Sequence, residues 1–239
     1  MNLRIAVWNV QWKKPASASG REIHQILSRS GADIICLTEG YAGLLPEHGH
    51  QILSASDYGY GTSDGRRKVL LWSRWPWSDA DVIGSPDLPP GRFVRGHLST
   101  PAGEISVIGI CIPWAGAHVS SGRRDRKRWQ DHAAYLTALR NVIAAEGAQA
   151  NLLVAGDFNQ RVPPSHTPFA MHKLLRSALG DLAVCTEGSL DGTGKASIDH
   201  VAYTPALRLP VVSAWSASGA NGRQLSDHFG LSVDFQFTG

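Results

Sequence analysis

Ten short apolar or alternating runs dominate this chain, near residues 3–9, 34–38, 50–54, 68–73, 92–99, 104–112, 151–155, 198–203, 209–214 and 230–237. Runs of this length and period are strand signals. In the last one, Leu231, Val233, Phe235 and Phe237 alternate with Ser232, Asp234 and Gln236. Helical spacing suits only about 20–30, 124–145 and 168–177. The second helix is the best defined, with Trp129, Ala133, Leu136, Leu139 and Ile143 recurring on one stripe. Gly147 follows it as a stop signal. So many strands with so few helices between them do not suit an alternating βαβ chain. An α/β fold of two packed sheets with helices outside fits better.

The 239 residues and the 43% hydrophobic fraction suffice for one large core, and no internal repeat divides them. One domain over 1–239 is expected. No apolar run approaches membrane-spanning length, and Leu3 to Trp8 enters a strand without a signal-peptide pattern. Cys36, Cys111 and Cys185 are odd in number and lack zinc spacing. These features lead to the expectation of a soluble cytoplasmic protein in a reducing compartment, with no membrane partner and as a monomer. The net charge of +3 permits a polyanionic substrate. Two clusters, Arg66-Arg67-Lys68 and Arg123-Arg124-Asp125-Arg126-Lys127-Arg128, concentrate that charge. Such clusters are often solvated faces; beside a phosphoester site they become candidate substrate contacts.

The chemically informative residues fall at strand ends. Asn9 follows Ile5-Ala6-Val7-Trp8, where its amide can meet a phosphate or a metal-bound water. Glu39 follows Ile34-Ile35-Cys36-Leu37-Thr38. A single carboxylate at an enclosed strand end suits Mg²⁺, which completes its octahedron with water and phosphate oxygens. Gly156-Asp157-Phe158-Asn159 follows Leu152-Leu153-Val154-Ala155. On an extended backbone Asp157 and Asn159 share a side, so Asp157 can handle the attacking water or the leaving oxygen while Asn159 meets the developing charge. Asp199 lies inside a strand-like run and needs a partner. His228 is the natural one, with a raised pKa as the consequence. Asp227 can join Glu39 at the metal. His200, on the face opposite Asp199, reads as structural.

Taken together, W-N-V at 8–10, T-E-G at 38–40, G-D-F-N at 156–159, I-D-H at 198–200 and S-D-H at 226–228 resemble the endonuclease/exonuclease/phosphatase superfamily, the fold of deoxyribonuclease I and exonuclease III. The five motifs stand in the family's order over nearly the whole chain. The resemblance implies a four-layer α/β sandwich of two mixed sheets. It also implies Mg²⁺ (or Mn²⁺) on Glu39, supported by Asn9 and Asp227. Asp157 and Asn159 would handle water and phosphate, Asp199 would pair with His228, and Arg92 would contact phosphate. The segment 110–116 resembles the family's middle motif, and the arginine-rich stretch resembles the abasic-site endonuclease branch. Cys111 stands where those branches carry Tyr or His, and Gln11 where an acidic residue often stands. Either another group, such as His118 or Arg92, substitutes for Cys111, or the substrate is not that of those branches.

A metal-dependent nuclease cutting DNA by in-line attack of water is therefore the leading expectation. Arg92, Trp114, Arg123 and Arg124 would bind substrate, and Trp12, Trp114 and Trp215 would offer stacking faces. A phosphatase or phosphodiesterase acting on a small or lipid phosphoester, or on an adduct at a DNA end, is the first alternative. An inactive nucleic-acid-binding module is the second.

Overall fold

The protein is described here from a computed structural model covering residues 2–61, 63–101, 103–147, 151–190 and 194–236. Phe237, assigned above to the apolar side of the last strand, lies outside them.

Two six-stranded sheets pack face to face. The first holds β1 (Asn2–Asn9), β2 (Ile34–Tyr41), β3 (His50–Leu53), β4 (Arg66–Ser73), β11 (Arg208–Trp215) and β12 (Gly230–Gln236), in the order β11-β12-β1-β2-β4-β3. The second holds β5 (Trp77–Asp81), β6 (Phe93–Thr100), β7 (Gly103–Cys111), β8 (Leu152–Asp157), β9 (Ala183–Val184) and β10 (Asp199–Tyr203), in the order β5-β6-β7-β8-β10-β9. Both are mixed: β1–β2 and β7–β8 run parallel, and the other pairings are antiparallel.

Alternation builds the layers. From β1, Leu3, Ile5 and Val7 enter the space between the sheets, where they meet Val107, Leu153 and Val201. Ala6 and Trp8 point the other way, onto Ile23 and Leu27 of α1 (Ala18–Arg29). Strands apolar on both faces are what a sandwich covered by helices requires. On the second sheet, Ile108, Ile110 and Val154 face outward against α2 (Gln130–Ala145) and α3 (Phe169–Leu179). The four-layer expectation holds. Among the described residues no helix is long and apolar enough to cross a membrane.

Three local expectations change. The helix assigned to 124–145 begins only at Gln130. Arg124 (φ 58) and Trp129 (φ 70) turn the chain left-handed before it. A run of cations in a first helical turn would also oppose the helix dipole. Two strands appear where no strand was assigned. β5 (Trp-Ser-Asp-Ala-Asp) is a polar edge strand held by pairing to β6, and β9 has two residues.

Candidate active site

The parallel and antiparallel pairings bring one end of several strands together. Asn9 ends β1 and Asp157 ends β8, while Asp199 begins the antiparallel β10 directly opposite Asp157. His228 leads into β12, antiparallel to β1, so it arrives beside the Asn9 end. Ser226 Oγ donates to the Asn9 carbonyl at 2.6 Å and accepts from the His228 N–H at 3.1 Å, while Trp8 Nε1 donates to the His228 carbonyl at 2.9 Å.

Two hydrogen bonds cross from sheet to sheet at this end. Asn9 Nδ2 donates to Asp157 Oδ2 at 3.0 Å, and His228 Nδ1 meets Asp199 Oδ2 at 2.5 Å. Asn9 Oδ1 is itself fixed by the Gln11 N–H at 3.0 Å. The predicted Asp199–His228 pair is thus present. Burial alone would push the His228 imidazolium down, but the Asp199 charge and hydrogen bond, with Asp157 and Asp227 nearby, raise it to about 10. His228 is therefore a cation at neutral pH. Asp157 moves the other way: burial first, then the Asp199 charge, raises its carboxyl to about 7.

Asp157 and Asn159 are close, but not by strand alternation. Asn159 adopts φ 52, and its N–H closes a turn onto Asp157 Oδ1 at 2.9 Å. One amide proton of Asn159 is committed to the Ile112 carbonyl at 2.8 Å, leaving the other for substrate.

Gly156 explains how Asp157 reaches this position. Its φ is 133, and a Cβ there would lie 2.0 Å from the Ile110 carbonyl oxygen of the neighbouring strand. Only glycine permits that approach.

Glu39 (φ 51) sits at the same end, on β2. Antiparallel pairing of Thr38 with Val69 sets it across from Lys68 of β4, whose ammonium pairs with Glu39 Oε1. Lys68 Nζ also lies 5.0 Å from the Trp12 ring centroid and 5.6 Å from that of Tyr58. Trp12 stacks on Tyr58, and Tyr60 stacks on His118. Glu39, Lys68, Trp12, Tyr58 and Tyr60, with Arg66, Arg92 and Trp114, line a cleft of about 300 Å³, and His118 lies behind Tyr60. A second cleft, of about 650 Å³, is lined by Asp199 and His228 themselves, with Arg161, His166, Asp227 and Phe229.

The remaining predicted residues separate. Arg92 is buried in the first cleft, with Nη1 3.3 Å from the Cys111 carbonyl, so it is the cation beside Cys111. His118 is less suited: it is buried against Tyr60, and burial with the Arg123 charge lowers its pKa. Cys111 is a buried thiol pushed up to about 12, chiefly by desolvation. Trp114 is 48% exposed. Arg123 and Arg124 are exposed, Arg123 held by Asp125 and Asp131. Asp227, its side chain 52% exposed, lies 3.8 Å from His228 Nε2. Trp215 is partly buried, packing edge-on to Trp8 against the core, so it is less available for stacking than Trp12 or Trp114.

Sequence reading passed over a buried network under the site. His132 Nδ1 meets the Pro113 carbonyl at 2.7 Å, and its Nε2 meets Gln160 Nε2 at 2.7 Å. The Gln160 carbonyl in turn meets His200 Nε2 at 3.0 Å, and His200 Nδ1 meets Thr186 Oγ1 at 3.0 Å. This network ties α2, the loop after β8 and the start of β10 together, and it confirms His200 as structural. Gln160 directly follows the G-D-F-N motif, which was the available signal. For Lys68 the signal was the β2–β4 register, which requires knowing the pairing.

The donors suit a hard cation. One atom each from Asp157, Asp199 and His228 lie within 4.8 Å of one another, and Asp199 Oδ1 is buried without a hydrogen-bond partner among the described residues. Oxygen-rich sites of this kind favour Mg²⁺ or Mn²⁺. With Nδ1 held by Asp199 and its pKa raised, the His228 imidazole is a poorer ligand than the carboxylates at this end, Glu39 and Asp227 included.

A four-layer sandwich with a buried Asp–His pair and a carboxylate cluster at one end defines a class of phosphoesterases. The endonuclease/exonuclease/phosphatase family matches residues 6–228, and the chain belongs to it. No curated protein matches the sequence. Among solved structures, the endonuclease domain of TRAS1, a telomere-specific non-LTR retrotransposon, is 21% identical, with 99% of each chain covered and a TM-score of 0.65. An AP endonuclease from Archaeoglobus fulgidus is 19% identical, with 98% of this chain and 99% of that one covered and a TM-score of 0.69. Sphingomyelinase C from Streptomyces griseocarneus is 15% identical, with 99% and 100% covered and a TM-score of 0.65. These likenesses establish the fold.

Proposed function

We propose that the protein is a metal-dependent nuclease that hydrolyses DNA. The observation that carries this reading is the first cleft. It combines aromatic faces (Trp12, Tyr58, Tyr60, Trp114) with Arg66, Lys68 and Arg92, and it adjoins Glu39. Stacking faces beside backbone-neutralising cations are the equipment for gripping a nucleic-acid strand.

In this reading Glu39, with Asn9 and Asp227, would hold a divalent ion, and that ion would supply positive charge to neutralise phosphate oxygens. Asp157 takes a proton from the attacking water, a task suited to a carboxyl raised towards neutrality. The water oxygen bonds to phosphorus as the opposite P–O bond breaks, and the proton passes to the leaving oxygen. Asn159 and the His228 imidazolium donate to the charge that develops between. Asp199 keeps His228 oriented and protonated.

Supercoiled plasmid, incubated with the protein in Mg²⁺, Mn²⁺ or chelator, tests the proposal. Nicking that requires metal and disappears in Glu39→Ala is expected. Intact plasmid under every condition would overturn the DNA assignment.

A second reading has equal structural likeness behind it, since TRAS1 and sphingomyelinase C give the same TM-score. In that reading the same chemistry acts on a small or lipid phosphoester. Turnover of a soluble phosphodiester without plasmid nicking would favour it.

A further inference from the structure

Lys68 occupies the cation position beside Glu39 in the first cleft. Its ammonium pairs with Glu39, and both side chains are largely covered. Besides Glu39 it touches the Trp12 and Tyr58 faces, which attract a cation but take up none of its N–H donors in a hydrogen bond. Glu39 itself is held at positive φ, as is Trp12, and the Trp12 N–H donates to the Glu39 carbonyl at 2.7 Å. The arrangement therefore offers one carboxylate to two cations, the tethered ammonium and a divalent ion.

We propose that Lys68 is an internal cation that shares Glu39 with the metal and couples metal binding to phosphate binding. The proposal rests on Glu39 being the metal ligand. In the free protein the ammonium neutralises Glu39, and its charge opposes a dication on the same carboxylate. A phosphodiester entering the cleft offers anionic oxygens to the ammonium's remaining donors and draws it off Glu39. The carboxylate is then released to the metal. Metal and phosphodiester consequently bind together, and each tightens the other by the same factor.

The test is Mn²⁺ titration, read from the paramagnetic signal of the free ion, with and without millimolar dimethyl phosphate. Lys68→Met removes the charge and keeps the apolar stem. It is expected to bind Mn²⁺ roughly tenfold or more tighter than the wild type in the absence of phosphate. Lys68→Arg keeps the charge and should stay near the wild-type affinity. Dimethyl phosphate should tighten Mn²⁺ binding to the wild type clearly more than to Lys68→Met, where only the metal's own attraction for phosphate remains. Glu39→Gln should weaken Mn²⁺ binding in both the wild-type and Lys68→Met backgrounds.

Unchanged affinity in Lys68→Met, together with weakened binding in Glu39→Gln, would overturn the sharing while leaving Glu39 as the ligand. An equal phosphate effect on the wild type and Lys68→Met, or none on either, would overturn the coupling. Indifference of Mn²⁺ to Glu39→Gln would instead remove the ligand assignment beneath the proposal. A near-ultraviolet spectrum matching the wild type guards each comparison against misfolding.

Discussion

Asp157 is the residue whose environment and role pull hardest against each other. Its carboxyl is buried beside Asp199, which disfavours charge, yet it accepts from Asn9 and from the Asn159 N–H. Asp157→Asn should lower kcat by roughly 10²–10⁴-fold, the usual contribution of a positioned acid–base group. It should leave the melting temperature close to that of the wild type, because removal of a buried charge offsets the loss of one acceptor facing an N–H donor. Activity near wild type, or a clear loss of stability, would contradict this account. His200 makes a separate prediction. Burial lowers its pKa to about 4, against about 6.5 when unfolded. Between those values the unfolded chain binds the extra proton, so the stability His200 contributes is full above pH 6.5. It is lost as pH falls towards 4, by roughly 3 kcal/mol. His132, also lowered to about 4 by burial, adds the same sign. His228 and Asp157, both raised, carry the opposite sign. The His200 part is therefore isolated by comparing urea midpoints of wild type and His200→Gln from pH 7 to 4.5, and the variant should show the shallower decline. At this scale the legible residues were those whose type and strand-end position sufficed: Asn9, Glu39, Asp157, Asp199 and His228. Lys68 and Gln160 escaped because a lysine in a basic cluster and a glutamine after a motif acquire meaning only from the residue opposite.

The elements act through where they end. β8 delivers Asp157 because Gly156 lets it approach the β7 backbone. Gly156→Ala should destabilise the protein by at least about 2 kcal/mol, since it adds both a backbone clash and an unfavourable φ. In a chain of this size that amounts to roughly 4–8 °C in Tm. An unchanged melting temperature would mean β7 and β8 can part without loss. α1 was readable from its apolar spacing, but its start at Ala18 was not: it follows a cap in which Ser17 Oγ accepts the Gly20 N–H at 3.0 Å. The start of α2 was not, because hydrophobic spacing continues through Trp129 while the backbone has already turned left-handed. β5 and β9 carry little apolar alternation of their own, and pairing with β6 and β10 makes them strands.

For the whole molecule, the charge of the cleft sets how a polyanion is held. If Arg66, Lys68, Arg92 and the exposed Arg123–Arg124 loop follow a nucleic-acid backbone, affinity should fall steeply with salt. Three to five phosphate contacts correspond to a log–log slope of roughly −2 to −5. Fluorescence anisotropy of a labelled oligonucleotide from 50 to 200 mM salt reads that slope directly. A flat response would point to a compact substrate with a single phosphate. The two-sheet architecture and the family were determined by the sequence itself. Period-two alternation states which residues need burial on each side, and short polar motifs at strand ends recur in a recognisable order. Only the tertiary structure decided which of those polar groups touch. The Asn9–Asp157 and His228–Asp199 bonds join different sheets, and Glu39 meets Lys68 through strand register. Such contacts depend on how sheets stack and strands align, which local patterning does not encode.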